Sequence, residues 1–276
     1  MKIKRLRRRA RSCWRIGRRL VAVLRKSPPV TRFVVSAALI FLMLAGANWL
    51  YHAIRKPSEV LFPLDDVLNK GLQDTWREYG PLFREHATAV ITPELLAALA
   101  QVESTGNPLA RTYWRWQYTM NPFELYRPAS SAVGMYQITD GTFHMAKQFC
   151  IHDHVVVESG PWHDFRSCWW NSLYTRVLPT HAIELTAAFL DRSVSGATAS
   201  GRTAATLRQK QDLAALIHLC GAGAGQAYVR RGFRLLPHQR CGDHDPRAYL
   251  LRVNAMKQQF SRLANGGKLE RLVSSP

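Results

Sequence analysis

An apolar run over residues 33–50, FVVSAALIFLMLAGANWL, constrains the fold of this chain more than any other feature. Only two of its 18 members are polar. In a helix these residues rise about 27 Å, and the next four bring the length close to the ~30 Å of a hydrocarbon core. Trp49 and Tyr51 stand at its end, where aromatic rings prefer the headgroup level. The sequence therefore predicts one transmembrane helix over residues 33–54.

The charge distribution predicts which end of this helix faces the cytoplasm. Residues 1–32 contain 13 Lys and Arg and no Asp or Glu, whereas the whole chain has 38 basic and 19 acidic residues. Residues 33–276 therefore contain 25 basic and 19 acidic residues, a net charge of only +6. Basic flanks stay inside, so residues 1–32 form a basic cytoplasmic tail and residues 55–276 lie outside.

The tail and the apolar run each have a second interpretation. Apolar residues at helical spacing among the arginines predict an amphipathic helix on the anionic inner leaflet. Nucleic-acid binding is the alternative for the tail, and the apolar run argues against it. A cleavable signal peptide is the alternative for the run, with a small-residue site at residues 45–47. A charged region of 32 residues is too long for that class of signal.

Periodicity predicts that the exported part is mainly α-helical. Amphipathic patterns occur over residues 68–79, 92–103, 180–192, 204–220 and 246–264, and no convincing alternating strand is found. The first helix should end at Gly80-Pro81, and residues 193–206 read as a loop. The predicted organisation is a stalk and first helix over residues 55–80, a globular domain over residues 81–265 and a flexible tail over residues 266–276.

Cysteine usage agrees with export. Cys13 precedes the apolar run, and an even number of cysteines follows it: Cys150, Cys168, Cys220 and Cys241. Four cysteines allow three pairings, of which the sequence-local choice joins Cys150 with Cys168 and Cys220 with Cys241. No zinc-ligand spacing such as CxxC is present, so the sequence predicts no metal site.

One carboxylate lies where an apolar side chain is expected. Thr92 and Pro93 begin a helix, and Glu103 follows Leu96 by seven and Leu99 by four positions, so it projects from the buried face. Burial and the negative end of a helix dipole both raise the pKa of a carboxyl group, which keeps a proton available for general acid catalysis. The alternatives are a side chain turned to solvent or paired with an arginine.

Two motifs carry a resemblance to a known family. Residues 100–108, AQVESTGNP, resemble the Glu-Ser motif of the lytic transglycosylases, which have a lysozyme-like soluble-transglycosylase catalytic domain. Residues 134–139, GMYQIT, resemble the Gly-Leu-Met-Gln-Ile motif of that family. The likeness covers roughly residues 82–260. It implies a lysozyme-like helical domain at residues 81–265, peptidoglycan glycan strands as substrate, and no cofactor or metal.

The resemblance also implies roles for individual residues. Glu103 would be the single acid/base, cleaving the bond between N-acetylmuramic acid and N-acetylglucosamine to leave a 1,6-anhydro product. Ser104 and Gln137 would orient the substrate or the glutamate, and Gly134 and Met135 complete the substrate-binding motif. Asp140 and Glu124 are the nearest further carboxylates in sequence, and we expect Asp140 to cap a helix and Glu124 to lie in a loop.

Later positions match the family less well. Residues 217–221, IHLCG, stand where the family usually has Ala-Tyr-Asn-Ala-Gly, so His218 replaces a tyrosine that contacts substrate. Tyr249 resembles a late family tyrosine that points into the cleft. A long insertion before Gln137 is rich in aromatic residues that either stack on sugars or pack a loop: Tyr113, Trp114, Trp116, Tyr118, Phe123 and Tyr126.

These observations predict a single-pass protein of the bacterial inner membrane with a periplasmic catalytic domain. Three functions remain open: a lytic transglycosylase, a muramidase that lets water attack, and a noncatalytic peptidoglycan-binding scaffold. Exo or endo preference and any partnership with a cell-wall or secretion machine stay open as well.

Overall fold

The computed structural model describes residues 26–56, 66–121, 123–164, 166–199 and 204–273. Most of the predicted amphipathic tail and most of the stalk lie outside these ranges. The described elements are mainly helical, as the sequence predicted. The helices are α1 (Pro29–Arg55), α2 (Leu72–Glu85), α3 (Pro93–Ser104), α4 (Asp140–Ala146), α5 (Pro179–Ala199), α6 (Leu207–Cys220), α7 (Ala222–Arg230) and α8 (Pro246–Val273). The strands are β1 (Trp114–Trp116), β2 (Tyr126–Pro128), β3 (Phe149–His152) and β4 (Val155–Glu158).

The chain divides into two compact units. One contains α1 together with Trp116–Arg127, and the other contains Lys56–Arg115 and the chain from Pro128 onward. Within α1, Pro29–Ile54 has a mean hydropathy of 2.1 and is long and apolar enough to cross a membrane. The helix begins four residues before the predicted span because Pro29, with its fixed φ, starts the first turn.

In the larger unit, α3 is the central helix of the core. It packs against both α2 and α8, and every residue from 95 to 100 is buried. The sequence pattern predicted one buried face, but a helix with neighbours on two sides is buried around most of its circumference. Full burial of a leucine such as Leu96 contributes about 1.5–3 kcal/mol.

Three predicted helix ends are wrong because packing outweighs the local signals. α2 continues through Pro81 to Glu85, since Tyr79 and Phe83 on either side of the proline are buried in the core. α5 includes residues 193–199 of the predicted loop, where Val194 and Ala197 are buried. α8 extends to Val273, so the expected tail from residue 266 begins as helix.

A β-hairpin that periodicity did not predict follows α4. β3 pairs antiparallel with β4, with His152 opposite Val155. Asp153 and His154 form the connection with φ of 50° and 64°, the backbone that a two-residue hairpin turn requires. A disulfide between Cys150 and Cys168 attaches this hairpin to the next segment of the chain.

Candidate active site

Glu103 lies in the last turn of α3, where the helix closes. Thr105 adopts a left-handed conformation with φ of 52°, and Gly106 N–H donates to Ala100 O at 3.1 Å, which ends the helix. The Glu103 side chain is 17% exposed, so it is sheltered and still reachable from solvent. It points toward two side chains from distant helices rather than outward into solvent.

The carboxylate of Glu103 contacts Tyr249 and His218. The Tyr249 hydroxyl donates a hydrogen bond to Glu103 Oε1. His218 Nε2 lies 3.7 Å from the same oxygen. Burial, followed by the charge of Glu103, raises the pKa of Tyr249 well above its ordinary value, so the phenol keeps its proton and acts as donor. The structure thus brings together three residues that the sequence had predicted separately.

Ser104 and Gln137 hold the backbone around the glutamate. Ser104 Oγ donates to Met135 O at 2.8 Å, which joins the end of α3 to the segment over residues 134–138. Gln137 Nε2 donates to Ala110 O at 3.1 Å and to Gly134 O at 3.0 Å. Both side chains therefore hold the backbone of residues 134–138, which forms a wall beside Glu103.

Gly134 and Met135 contribute through packing. Gly134 has φ of 81°, and a Cβ there would lie 2.3 Å from Arg176 O, so the close approach requires glycine. The Met135 side chain is fully buried in the core. The predicted role of Met135 in substrate binding stays a prediction.

The two further carboxylates that were considered are each paired with an arginine. Asp140 Oδ1 lies 2.8 Å from Arg176 Nη2, and Glu124 Oε2 lies 3.9 Å from Arg127 Nη1. Asp140 does not cap α4 as predicted, because the side chain of Thr139 occupies that position and accepts from the Thr142 N–H.

Arg176 is an important residue that sequence reasoning missed. Its Nη1 donates to Ser131 O at 2.8 Å, just before the 134–138 segment, and to Ile138 O at 2.9 Å, at the end of that segment. Its contact with Asp140 adds a third link to the same region. No local pattern predicts this role, because arginine is common in this chain and its partners precede it by 36 to 45 positions.

Glu184 is a second carboxylate that the sequence did not single out. It is 6% exposed on α5 and accepts hydrogen bonds from Tyr174 Oη at 2.8 Å and from Ile151 N at 3.1 Å. Burial and the neighbouring carboxylate raise the pKa of Tyr174 far above its ordinary value, so that hydroxyl remains a donor. With both oxygens occupied, Glu184 anchors β3 to α5.

A cavity of about 470 Å³ opens beside His218. His218 and Gln137 line it, together with apolar side chains and polar groups that can bind hydroxyl and amide groups. The other lining residues are Ile138, Thr139, Thr142, Met145, Gln148, Phe149, Phe189, Arg192, Ser193, Ile217, Leu219, Gly221 and Ala222. This mixture of apolar and hydrogen-bonding side chains suits an amino sugar better than a purely apolar or a highly charged ligand.

A disulfide fixes the chain next to His218. Cys220, two residues later at the end of α6, is bonded to Cys241. Both cysteine pairs in the structure match the sequence-local pairing.

Residues 81–206 match the family model described as the transglycosylase SLT domain. Comparison with curated proteins and comparison with solved structures returned no match. The chain therefore contains an SLT domain, a kind of domain generally found in lytic transglycosylases that act on peptidoglycan. The matched range includes Glu103 and Gln137 and ends before His218 and Tyr249.

Proposed function

We propose that this protein is a peptidoglycan lytic transglycosylase in which Glu103 is the catalytic acid and base. The observation that carries the proposal is the surroundings of Glu103 within the SLT domain. Its carboxylate accepts from the buried Tyr249 hydroxyl and lies 3.7 Å from His218 Nε2, and His218 also lines the cavity.

Glu103 acts twice in the proposed reaction. As the acid it protonates the oxygen between N-acetylmuramic acid and N-acetylglucosamine, and the glycosidic bond breaks. As the base, the resulting carboxylate takes a proton from the muramic acid 6-hydroxyl, whose oxygen bonds to the anomeric carbon. The products are a 1,6-anhydro sugar and a new free end, and no water is consumed.

Tyr249 and His218 have positioning roles in this proposal. Tyr249 holds one carboxylate oxygen, which leaves the other available to face the substrate. His218 reaches both the carboxylate and the cavity, and it can therefore bind sugar beside Glu103 where the family usually has tyrosine. The pairing of Asp140 and Glu124 with arginines supports a mechanism with one acting carboxylate.

The test compares three full-length proteins on purified sacculi, with soluble muropeptides identified by mass spectrometry. Glu103→Gln keeps the shape of the side chain and removes its transferable proton, so cleavage should fall by about 10²- to 10⁴-fold. Glu94→Gln makes the same chemical change in the first turn of the same helix and should cleave like the wild type.

The products distinguish the three functions. Anhydro-muropeptides from the wild type support the proposal, and reducing ends instead identify a muramidase. Binding to sacculi with no released product identifies a scaffold. Near-wild-type cleavage by Glu103→Gln would contradict the role of Glu103 whichever product forms.

For the location, we propose that α1 is an uncleaved anchor and that the SLT domain lies in the periplasm. The length and hydropathy of α1 support a span, and the 13 basic residues that precede the apolar run support a cytoplasmic N-terminus. Peptidoglycan, the substrate on which SLT domains generally act, lies on the opposite side of that membrane.

A further inference from the structure

The unit that contains α1 has an additional part that a simple anchor does not need. Trp116–Arg127, the tip of the insertion between the two family motifs, belongs to the same compact unit as the helix. Gln117 N–H donates to Leu125 O at 2.9 Å, which closes this tip as a continuation of the β1–β2 sheet. We refer to Trp116–Arg127 as the tip.

Backbone and ring contacts hold the tip on the last turns of α1. Asn48 Nδ2 donates to Tyr126 O at 2.6 Å, and His52 Nε2 lies 2.8 Å from Phe123 O. The rings of Tyr51 and Phe123 have centroids 5.0 Å apart. The tip is therefore attached at residues 48–52.

These residues correspond to one boundary of the proposed membrane span. From Phe33 to Tyr51 a helix rises about 27 Å, close to the thickness of a hydrocarbon core. If α1 spans the bilayer, residues 48–52 lie at the outer headgroup level. The tip, attached there, lies at the same level.

The side chains that the tip exposes are of the type that this level favours. Trp116 is 71% exposed, and Tyr118 and Met120 are fully exposed. Tryptophan and tyrosine combine an apolar ring with a polar group and are enriched at membrane–water boundaries. Exposed apolar side chains gathered on one tip indicate a binding surface rather than ordinary solvent exposure.

We propose that the tip is a second membrane contact, in which Trp116, Tyr118 and Met120 enter the outer leaflet of the bilayer beside α1. The proposal rests on the proposed span by α1. It goes beyond that span because it gives the aromatic insertion a ligand, the lipid surface, in place of a sugar. Both ends of the tip continue into the SLT domain, so this contact attaches the domain to the bilayer independently of the stalk.

Photo-crosslinking tests the proposal with the full-length protein in phosphatidylethanolamine–phosphatidylglycerol vesicles. A benzophenone amino acid is introduced singly as Tyr118→p-benzoylphenylalanine or Met120→p-benzoylphenylalanine. Phe41→p-benzoylphenylalanine, in the middle of α1, reports on the span. Trp162→p-benzoylphenylalanine, at an exposed aromatic position of the other unit, is the matched control. Lipid adducts are measured by mass spectrometry after irradiation.

We expect lipid adducts at positions 118 and 120 that exceed those at position 162 several-fold and approach those at position 41. Adducts at position 41 with only control levels at both tip positions would overturn the lipid contact and leave the span intact. Tip adducts to protein in place of lipid would also overturn it. Control levels at position 41 as well would contradict both the span and the tip contact.

Discussion

At the scale of single residues, the reactivity proposed for Glu103 depends on a donor that lies 146 positions away in the sequence. Tyr249 is 2% exposed, and its pKa is raised mainly by that burial and next by the charge of Glu103. A phenol whose pKa rises in the folded protein stays protonated throughout the neutral range. The Tyr249 hydroxyl can therefore donate its hydrogen bond to Glu103 throughout the neutral pH range.

Removing this hydroxyl should impair turnover more than binding. Tyr249→Phe keeps the ring that packs in the core but leaves Glu103 Oε1 without its donor, so the carboxylate can rotate. We expect kcat on glycan strands to fall about 10- to 100-fold with KM little changed, since small misplacements of a reacting group have effects of this size.

Tyr228→Phe is the control for this prediction. Tyr228 is also buried, and that burial, followed by the charge of Asp212 rather than Glu103, raises its pKa. It should retain wild-type kcat. Equal losses in the two variants would indicate a general packing defect and contradict the positioning role of Tyr249.

At the scale of elements, the segment over residues 134–138 forms a wall beside Glu103 that is held from two directions. Ser104 donates to Met135 O from α3, and Arg176 donates to Ile138 O at the end of the segment and to Ser131 O just before it. Gly134 is the point of closest approach, where φ is 81° and Arg176 O leaves no room for a side chain.

Gly134→Ala should therefore both destabilise the protein and displace the wall. The strained backbone and the clash with Arg176 O should lower the free energy of unfolding by about 1–3 kcal/mol, and glycan cleavage should decrease. Gly141→Ala is the matched control, because nothing lies within 4 Å of the added Cβ and the position is helical. Chemical denaturation measures the free energy of unfolding of both variants. Equal stability of the two variants would contradict the steric argument.

The two disulfides act at the same scale, because each closes a short loop. Cys150–Cys168 and Cys220–Cys241 have sequence separations of 18 and 21 residues, and each loop should contribute roughly 3 kcal/mol in the chain-entropy model. The second pair also holds the chain next to His218.

Thiol counting on the denatured, unreduced full-length protein tests both bonds. One free thiol, from Cys13, is expected, since the other four cysteines are paired. A count of three or five would contradict the scheme. Peptide mapping of the unreduced protein then checks which cysteines are joined.

At the scale of the whole molecule, the basic tail and α1 should determine the side of the membrane on which the chain acts. A reporter fused after Pro276 should be active only outside the cytoplasm, and the protein should stay in the membrane fraction after a salt wash. The reason is the excess of basic residues before the apolar run over those after it. Reporter activity in the cytoplasm would contradict this orientation. A soluble mature chain beginning near Asn48 would identify a cleaved signal.

The sequence alone determined the features that depend on neighbouring residues. The apolar run predicted α1, and Thr92 with Pro93 correctly placed the start of α3. Spacing along α3 also put Glu103 on the sheltered face of its helix. These predictions are confirmed because an apolar helix, a helix start and a helix face are each determined within one continuous segment.

Only the tertiary structure decided which residues surround Glu103 and where several elements end. Pro81 predicted a helix end, yet α2 continues because buried side chains on both sides of it pack in the core. Three contacts join segments that are far apart in sequence. They are the hydrogen bond from Arg176 to Ser131 O, the hydrogen bond from Tyr249 to Glu103, and the attachment of the tip to α1. Such contacts depend on how helices pack against one another, and no pattern within one segment contains that information.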